Sequence, residues 1–209
     1  MKIIKTLILS LIFILMITEL KSQTEKIVTD AHGLAVGENA PMFKALDADS
    51  SIFSLNEAIK EGPVVLIFYR GFWCPVCNKH LASIQDSLKM IEQSGARVIA
   101  ISPEKPEYLD KMATKSEAEF TLLYDEDYKI AEAYDVNFNP SSMQLFTYNV
   151  ILRGNLKNTH SDESQRLPIP ATYIIDSNGK IIWRQFDHDY KKRSSVKEIL
   201  DALVQNSSS

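Results

Sequence analysis

The segment that most constrains the fold is Val64–Cys77, in which a buried strand leads directly into a pair of cysteines. Its first six residues are apolar and rich in β-branched and aromatic side chains, which is typical of a buried strand. The chain then turns at Arg70-Gly71, and from Cys77 onward apolar residues recur at helical spacing. Cys74 and Cys77, the only cysteines in the sequence, are therefore predicted at the start of a helix. A helix N-terminus stabilises a thiolate, so this placement favours reactive thiol chemistry.

The spacing of the two cysteines fits a redox pair. Cysteines three residues apart at a helix start place their Cα atoms about 5–6 Å apart, within reach of a disulfide. Pro75 suits the first helical position, because the N–H that proline lacks has no partner there. Cys74 is then the N-cap residue, and free backbone N–H groups facing its sulfur lower its pKa. We expect Cys74 to be the attacking thiolate, and Cys77, one turn further in and more buried, to attack it once it is oxidised.

Two other uses of the cysteines remain open. A structural disulfide would close so short a loop that it constrains the unfolded chain little. A zinc or copper site would combine Cys74 and Cys77 with His80, at positions i, i+3 and i+6. A closed zinc site needs four ligands and the chain has no second cysteine pair, so His80 is expected to be a partly exposed helix residue. Redox chemistry is favoured, with no metal and no cofactor, and Trp73 is expected to cover the thiol and offer a flat apolar surface to a partner.

The rest of the chain alternates strands and helices, which indicates an α/β sandwich with a mixed sheet. Apolar residues at steps of three and four mark the helices, and short apolar runs between turn residues mark the strands. The predicted strands are Ala40–Leu46, Ser51–Ser54, Val64–Tyr69, Arg97–Ile101, Phe120–Tyr124, Ala171–Ile175 and Lys180–Trp183, the first two forming an N-terminal β-hairpin. The predicted helices are Leu55–Lys60, a helix from Cys77 to Gly95, Glu107–Glu117, Asp127–Tyr134 and a last helix over Val196–Leu203.

Two segments do not fit this alternation. Val136–Pro168 is long, rich in Asn and Ser and poorly periodic, which predicts a lid or a binding insertion. Asp187, His188 and Asp189 lie near the end of the closing hairpin, and we interpret them as a solvated turn because short charged clusters are usually exposed.

The composition of the chain limits the class of protein, and its N-terminal sequence predicts the cellular location. With 209 residues, 45% of them hydrophobic, the chain can bury one globular core, and its charge of -4 gives no reason to expect nucleic acid. Lys2 and Lys5 precede the apolar run Leu7–Ile17, and Ser22 offers a small residue for cleavage, the layout of a secretory signal peptide. We predict a signal peptide at 1–22, a lead-in at 23–36 and one domain at 37–206. The mature protein is then exported, periplasmic or extracellular, without stable membrane insertion; an uncleaved membrane anchor is the alternative.

Together these residues resemble the thioredoxin fold, in which Trp-Cys-x-x-Cys opens a helix after a strand and a cis-proline before a later strand faces the cysteines. Pro170 matches that proline. More closely, the chain resembles the peroxiredoxin-like branch of the alkyl hydroperoxide reductase/thiol-specific antioxidant family. The matching segments are Phe68–Cys77, Ala100–Pro103, Leu167–Tyr173 and Asp187–Arg193, and they follow the family's order from about Gly37 to the last helix.

The resemblance implies a thioredoxin-like three-layer sandwich and a thiol-dependent peroxidase. Cys74 would attack a peroxide, Cys77 would resolve the sulfenic acid to a redox-active disulfide, and a thioredoxin-like reductant would restore the dithiol. The runner-up is a thiol-disulfide reductase or isomerase that acts on exported proteins, with Cys74 forming a mixed disulfide. A third, non-enzymatic class is a copper carrier that uses both cysteines and His80.

Two positions depart from the pattern of typical peroxiredoxins. Gly71 stands where they carry a threonine, and Pro170 stands where they hold an arginine. Both missing groups help to polarise the peroxide and to stabilise the thiolate. Arg70 is the candidate substitute for the arginine, so Arg70, Trp73 and Pro170 form the predicted thiol pocket.

Overall fold

The computed structural model describes residues 26–206, and its centre is a mixed seven-stranded sheet. The strands are β1 Lys44–Asp47, β2 Ile52–Ser54, β3 Val64–Phe68, β4 Arg97–Ser102, β5 Thr121–Tyr124, β6 Asn137–Phe138, β7 Leu167–Pro168, β8 Ala171–Ile175 and β9 Ile181–Phe186. The sheet order is β2-β1-β5-β4-β3-β8-β9, with β3, β4 and β5 parallel and every other neighbour antiparallel. A separate pair, β6 and β7, is antiparallel.

Helices cover both faces of this sheet, because its central strands bury side chains on both sides. On β3, Val65 and Ile67 belong to one buried cluster, and Val64, Leu66 and Phe68 belong to the other. The first cluster includes the helix that carries the cysteines and the last helix. Alternate residues of one strand thus fill two cores, which confirms the predicted three-layer sandwich with its N-terminal hairpin of β1 and β2.

The helices follow the predicted order, with one break that periodicity does not reveal. They are α1 Leu55–Ala58, α2 Pro75–Asp86, α3 Leu88–Gln93, α4 Pro106–Ser116, α5 Lys129–Ala133, α6 Ser142–Phe146, α7 Leu156–Thr159 and α8 Val196–Asn206. The single helix predicted from Cys77 to Gly95 is interrupted at Ser87, where φ is -117° and ψ is 10°. Leu88 and Ile91 remain in the same core as Leu81 and Ile84, so the apolar spacing continues across the break.

The predicted insertion Val136–Pro168 has structure of its own. Its two ends pair as β6 and β7, and α6 continues into a π-helical stretch, Thr147–Ile151, before α7. Backbone hydrogen bonds from Lys105 N–H to the Thr159 carbonyl and from Ser161 N–H to the Pro103 carbonyl tie it to the segment after β4. The short helices escaped prediction because none is long enough to show an apolar period.

Pro170 precedes β8, which is antiparallel to β3 and begins where β3 ends. It is therefore at the end of the sheet from which the cysteine segment leaves, and it is buried. No peptide bond within residues 26–206 is cis, so the cis-proline that the thioredoxin resemblance implies at Pro170 is not found. The predicted signal peptide lies outside the described residues. Among residues 26–206, no helix has the length and apolar character needed to cross a membrane.

Candidate active site

The cysteine pair lies where the sequence predicts it. Helix α2 begins at Pro75, and Cys74 is its N-cap with extended backbone angles. The Cys77 N–H donates to the Cys74 sulfur at 3.3 Å, which is the N-cap contact expected of that sulfur. Both cysteines are free thiols. They are 0% and 1% exposed, so both side chains are shielded from solvent.

A buried arginine faces the Cys74 sulfur. Arg70 is only 2% exposed, and its Nη2 donates to Cys74 Sγ at 3.1 Å. Three rings surround its guanidinium: Cζ lies 5.2 Å from the ring centroid of Trp73, 5.0 Å from that of Tyr148 and 4.0 Å from that of Tyr190. We call these three side chains the aromatic box. The rings of the aromatic box pack around the guanidinium and hold it against the Cys74 sulfur. These four contacts are with the sulfur and the rings, and none of them is with a carboxylate.

Trp73 does not offer a surface to a partner. It is 4% exposed, because Tyr148 packs over it with ring centroids 5.2 Å apart. Gly154, also from the insertion, approaches the indole so closely that a Cβ there would lie 3.0 Å from Trp73 Cδ2. The predicted insertion thus closes over the predicted pocket. The expected exposure of Trp73 is wrong, since the sequence around the tryptophan does not show which distant segment covers it.

A second arginine comes from the segment after β9. Arg193 Nη2 lies 3.8 Å from Cys77 Sγ. Tyr190 of the aromatic box comes from the same segment. In the predicted solvated turn, His188 and Asp189 are exposed and Asp187 is partly buried. Sequence reasoning gave Tyr190 and Arg193 no role, although both lie within Asp187–Arg193, a segment that carried the resemblance.

The two thiols ionise as a pair. The hydrogen bond between the sulfurs and burial raise the pKa of Cys74, while the Arg70 cation acts in the opposite direction. Burial also raises the pKa of Cys77, but the hydrogen bond to Cys74 and the charges of Arg70 and Arg193 outweigh it and hold that pKa well below its ordinary value. The reduced pair therefore contains one thiolate and one thiol that share a proton. The lowered pKa therefore belongs to the cysteine pair. The expectation that the helix N-terminus by itself lowers the pKa of Cys74 is wrong.

His80 is buried rather than partly exposed. Its Nε2 lies 3.1 Å from the Ser194 carbonyl oxygen and 3.2 Å from the Ser194 hydroxyl, and burial lowers its pKa to about 4. Its ring is therefore neutral and engaged with a neighbouring chain segment. Within residues 26–206, no three His, Cys, Asp or Glu side chains are grouped closely enough to hold a metal ion.

Glu104 is a buried carboxyl group that sequence reasoning missed. It follows β4, is 0% exposed, and accepts a hydrogen bond from the Phe72 N–H at 2.8 Å on Oε2. Gly71 lies against it: a Cβ at that position would be 2.5 Å from Glu104 Oε1 and 2.5 Å from Trp73 Nε1. The space that a threonine would need at this position is therefore taken by Glu104 and Trp73. The signal in the sequence is a glutamate directly after the buried strand and Ser102-Pro103.

Comparisons with known proteins agree with this geometry. A model of the AhpC/TSA family matches residues 36–184. The chain is 30% identical to "Peroxiredoxin Bcp" of Escherichia coli strain K12 over 174 residues, which are 83% of this chain and 97% of that protein. Among solved structures, it is similar to peroxidoxin BcpB from Mycobacterium tuberculosis, with a TM-score of 0.64 at 20% identity over 82% and 97% of the two chains.

The fold also matches the thioredoxin domain of a thiol-disulfide oxidoreductase from Bacteroides vulgatus. The TM-score is 0.57 at 15% identity, over 83% of this chain and 98% of that one. At these identities the two structural matches concern the fold alone. The family match spans the cysteine pair, Arg70 and the whole insertion, and it ends before Tyr190 and Arg193. The chain therefore belongs to the AhpC/TSA family, and its fold is the thioredoxin-like fold that the sequence resemblance implied.

Proposed function

We propose that this protein is an exported thiol peroxidase in which Cys74 attacks a hydroperoxide and Cys77 resolves the product to a disulfide. The observation that carries this proposal is the Arg70 guanidinium, buried and 3.1 Å from the Cys74 sulfur. It provides a fixed positive charge where a peroxide oxygen must develop negative charge. Membership of the AhpC/TSA family supports a thiol-dependent peroxidase or oxidoreductase as the class of enzyme.

The chemistry starts from the shared proton. When that proton lies on Cys77, Cys74 is a thiolate and attacks the nearer oxygen of ROOH. The O–O bond breaks, Cys74 becomes a sulfenic acid, and the departing alkoxide takes the Cys77 proton to leave as ROH. The Cys77 thiolate then attacks the Cys74 sulfur, the S–O bond breaks, and hydroxide leaves and is protonated to water. A thioredoxin-like dithiol returns two electrons and one proton to the pair, and its second proton goes to solvent, which supplied the proton that made the water.

Access to the sulfurs requires movement, because both are buried beneath the aromatic box. Tyr148 belongs to the insertion, which is held by the pairing of its ends and by backbone hydrogen bonds to the segment after β4. We assign the insertion the role of a lid that opens for the peroxide and for the reductant. Trp73 and Arg70 lie beneath it.

The test uses the mature protein in its reduced form. Hydrogen peroxide and an alkyl hydroperoxide are supplied in one set of reactions, and disulfide-bonded insulin in a parallel set. Peroxide consumption that Cys74→Ser abolishes is the expected result. Cys77→Ser should still react once and yield a sulfenic acid that dimedone traps. Reduction of insulin without peroxide consumption would refute the peroxidase and support the runner-up.

The runner-up, a thiol-disulfide oxidoreductase, rests on a specific observation. Gly71 and Pro170 stand where typical peroxiredoxins hold their threonine and arginine, and Glu104 and Trp73 leave no room for a side chain at Gly71. A site without those groups also suits a protein disulfide as oxidant, in which case Cys74 forms the mixed disulfide.

Export is proposed from the N-terminal sequence, where two lysines precede an apolar run. The N-terminus of the protein purified from cells is read by mass spectrometry. A chain that begins near residue 23 is expected, and one that begins at Met1 would overturn the cleavage.

A further inference from the structure

The helical part of the insertion is apolar on its outer side as well as on its inner side. Four large apolar side chains of α6 and the π-helical stretch are each more than half exposed: Met143, Phe146, Val150 and Ile151. We call these four side chains the outer face of the insertion. On the inner side Tyr148 is buried, and Leu145 and Leu152 pack against the core. A helix that is apolar all round is normally buried in a larger assembly or in a membrane, so the outer face is a surface that takes a partner.

The charges next to the outer face are positive. From Val136 to Ser161 the sequence has no Asp and no Glu, although the chain contains 27 acidic residues. Arg153 and Lys157 are exposed, and the ion pairs of residues 26–206 include neither of them. Lys105 adds a third cation, because its Nζ donates to the carbonyl of Asn158 in the insertion at 2.9 Å. An apolar helix face beside cations is the composition of helices that lie on membrane surfaces.

The size of the outer face favours a lipid surface over a protein partner. A stable protein interface takes about 20–30 residues from each side, whereas the segment 142–151 contributes only the four side chains of the outer face. Lysine is also depleted from protein interfaces. A bilayer surface has neither requirement, because apolar side chains enter the headgroup region while neighbouring cations meet anionic headgroups.

The N-terminal end of the described chain lies at the base of this helix. The Lys26 carbonyl accepts from the Asn139 N–H at 2.7 Å, and Asn139 is two residues before Ser141, the N-cap of α6. Ile27, the next residue, is also more than half exposed. In the precursor, residues 18–25 separate this position from the apolar run Leu7–Ile17 and can span at most about 30 Å. The predicted signal peptide would therefore hold the outer face within reach of the bilayer during export.

We propose that the outer face of the insertion is a membrane-contact surface through which this protein binds reversibly to anionic lipid bilayers. Its four side chains enter the headgroup region, while Arg153, Lys157 and Lys105 bind the anionic headgroups. The contact is peripheral, and no segment crosses the bilayer. Because Tyr148 lies on the inner side of the same helix and packs over Trp73, the membrane contacts the segment that covers the cysteine pair. This surface goes beyond the proposed peroxidase and does not depend on it.

The test measures binding of the wild-type mature chain, from residue 23 onward, to lipid vesicles by flotation. Without residues 1–22, the apolar run cannot insert by itself. Vesicles of phosphatidylglycerol and phosphatidylcholine in equal amounts are compared with vesicles of phosphatidylcholine alone. Binding to the mixed vesicles should be about tenfold tighter or more, and it should fall about tenfold between roughly 0.05 M and 0.5 M NaCl. This comparison does not depend on any variant folding.

Variants then locate the surface. Phe146→Ser combined with Val150→Ser should weaken binding to the mixed vesicles by more than about tenfold, because both side chains lose their apolar contact with lipid. Met90→Ser, at an exposed apolar position of α3, is the matched control and should bind as wild type. Lys157→Gln should weaken binding about fivefold, and Lys89→Gln, also exposed on α3, should not. All these positions are exposed, so the midpoint of urea unfolding should stay unchanged.

Three results would overturn the membrane contact. They are no binding to the mixed vesicles, equal binding to both kinds of vesicle, and an equal loss in Met90→Ser and in the double variant. A wild-type dimer in analytical ultracentrifugation that the double variant makes monomeric would also overturn it, since a second copy of the chain would then cover the outer face. No peroxide is used, so a failed peroxidase assay and failed vesicle binding are separate results.

Discussion

Replacing Arg70 with methionine isolates the electrostatic contribution of the guanidinium to the thiolate. Arg70→Met retains a long, mainly apolar side chain inside the aromatic box, so packing changes less than charge. At the observed 3.1 Å between Nη2 and Sγ and an effective dielectric constant of about 20, the charge pair is worth about 5 kcal/mol, roughly 4 pKa units. Water that enters the vacated space and the remaining charge of Arg193 reduce this loss. We expect the first pKa of the pair to rise by about 2 units.

The assay is the ultraviolet absorbance of the thiolate as a function of pH, which reports buried sulfurs as well as exposed ones. The rate of peroxide consumption is measured on the same samples, and each unit by which the pKa exceeds the assay pH lowers the thiolate fraction about tenfold. Arg70→Lys keeps the charge and is the matched control, with an expected rise smaller than that of Arg70→Met. A change in the first pKa below about half a unit in Arg70→Met would refute the electrostatic role of Arg70.

Three further perturbations test other contacts. Tyr148→Ala removes the ring over Trp73 and should speed alkylation of the buried thiols and lower the free energy of unfolding by about 3 kcal/mol, whereas Tyr148→Phe should behave as wild type. Gly71→Ala places a Cβ 2.5 Å from the carboxyl of Glu104 at a φ of 153°, so urea unfolding should show a loss of about 2–4 kcal/mol; an unchanged midpoint would contradict the close approach. Burial raises the pKa of Asp125 from 3.8 to about 6, so the folded state binds more protons than the unfolded state between those values. The contribution of Asp125 to the free energy of unfolding should therefore fall by about 3 kcal/mol as pH rises from about 4 to 6, and Asp125→Asn should remove that slope.

The parts of the site that could be predicted from sequence are those made by neighbouring residues. The strand-to-helix passage, Pro75 at the first helical position and Cys74 as N-cap all depend on local geometry, and each is found as expected. Local patterns also located the insertion, although they gave no account of its internal helices. The apolar periodicity did not predict the helix break at Ser87, because the helices on both sides of it bury apolar residues in the same core.

The environment of the sulfurs could not be predicted, since it is assembled from distant segments. Tyr148, Tyr190 and Arg193 reach the pair from the insertion and from the segment after β9, and no spacing rule connects them to Cys74. The exposure of Trp73 was wrong for the same reason. The resemblance pointed to Arg70 as the cation of the site, and the structure shows it against the sulfur.

The two-residue pairing of β6 with β7 has a consequence for how such a site can diverge. This pairing holds the two ends of the insertion side by side. Next to it, the Ile169 N–H donates a hydrogen bond to the Val136 carbonyl. Closing a flexible loop on fixed ends costs only about 0.6 kcal/mol more for each doubling of its length. The insertion can therefore lengthen at little cost in loop-closure entropy. Sequence changes that alter which oxidants reach the sulfurs can then accumulate in the insertion, while the sheet, the N-cap and the cysteines remain unaltered.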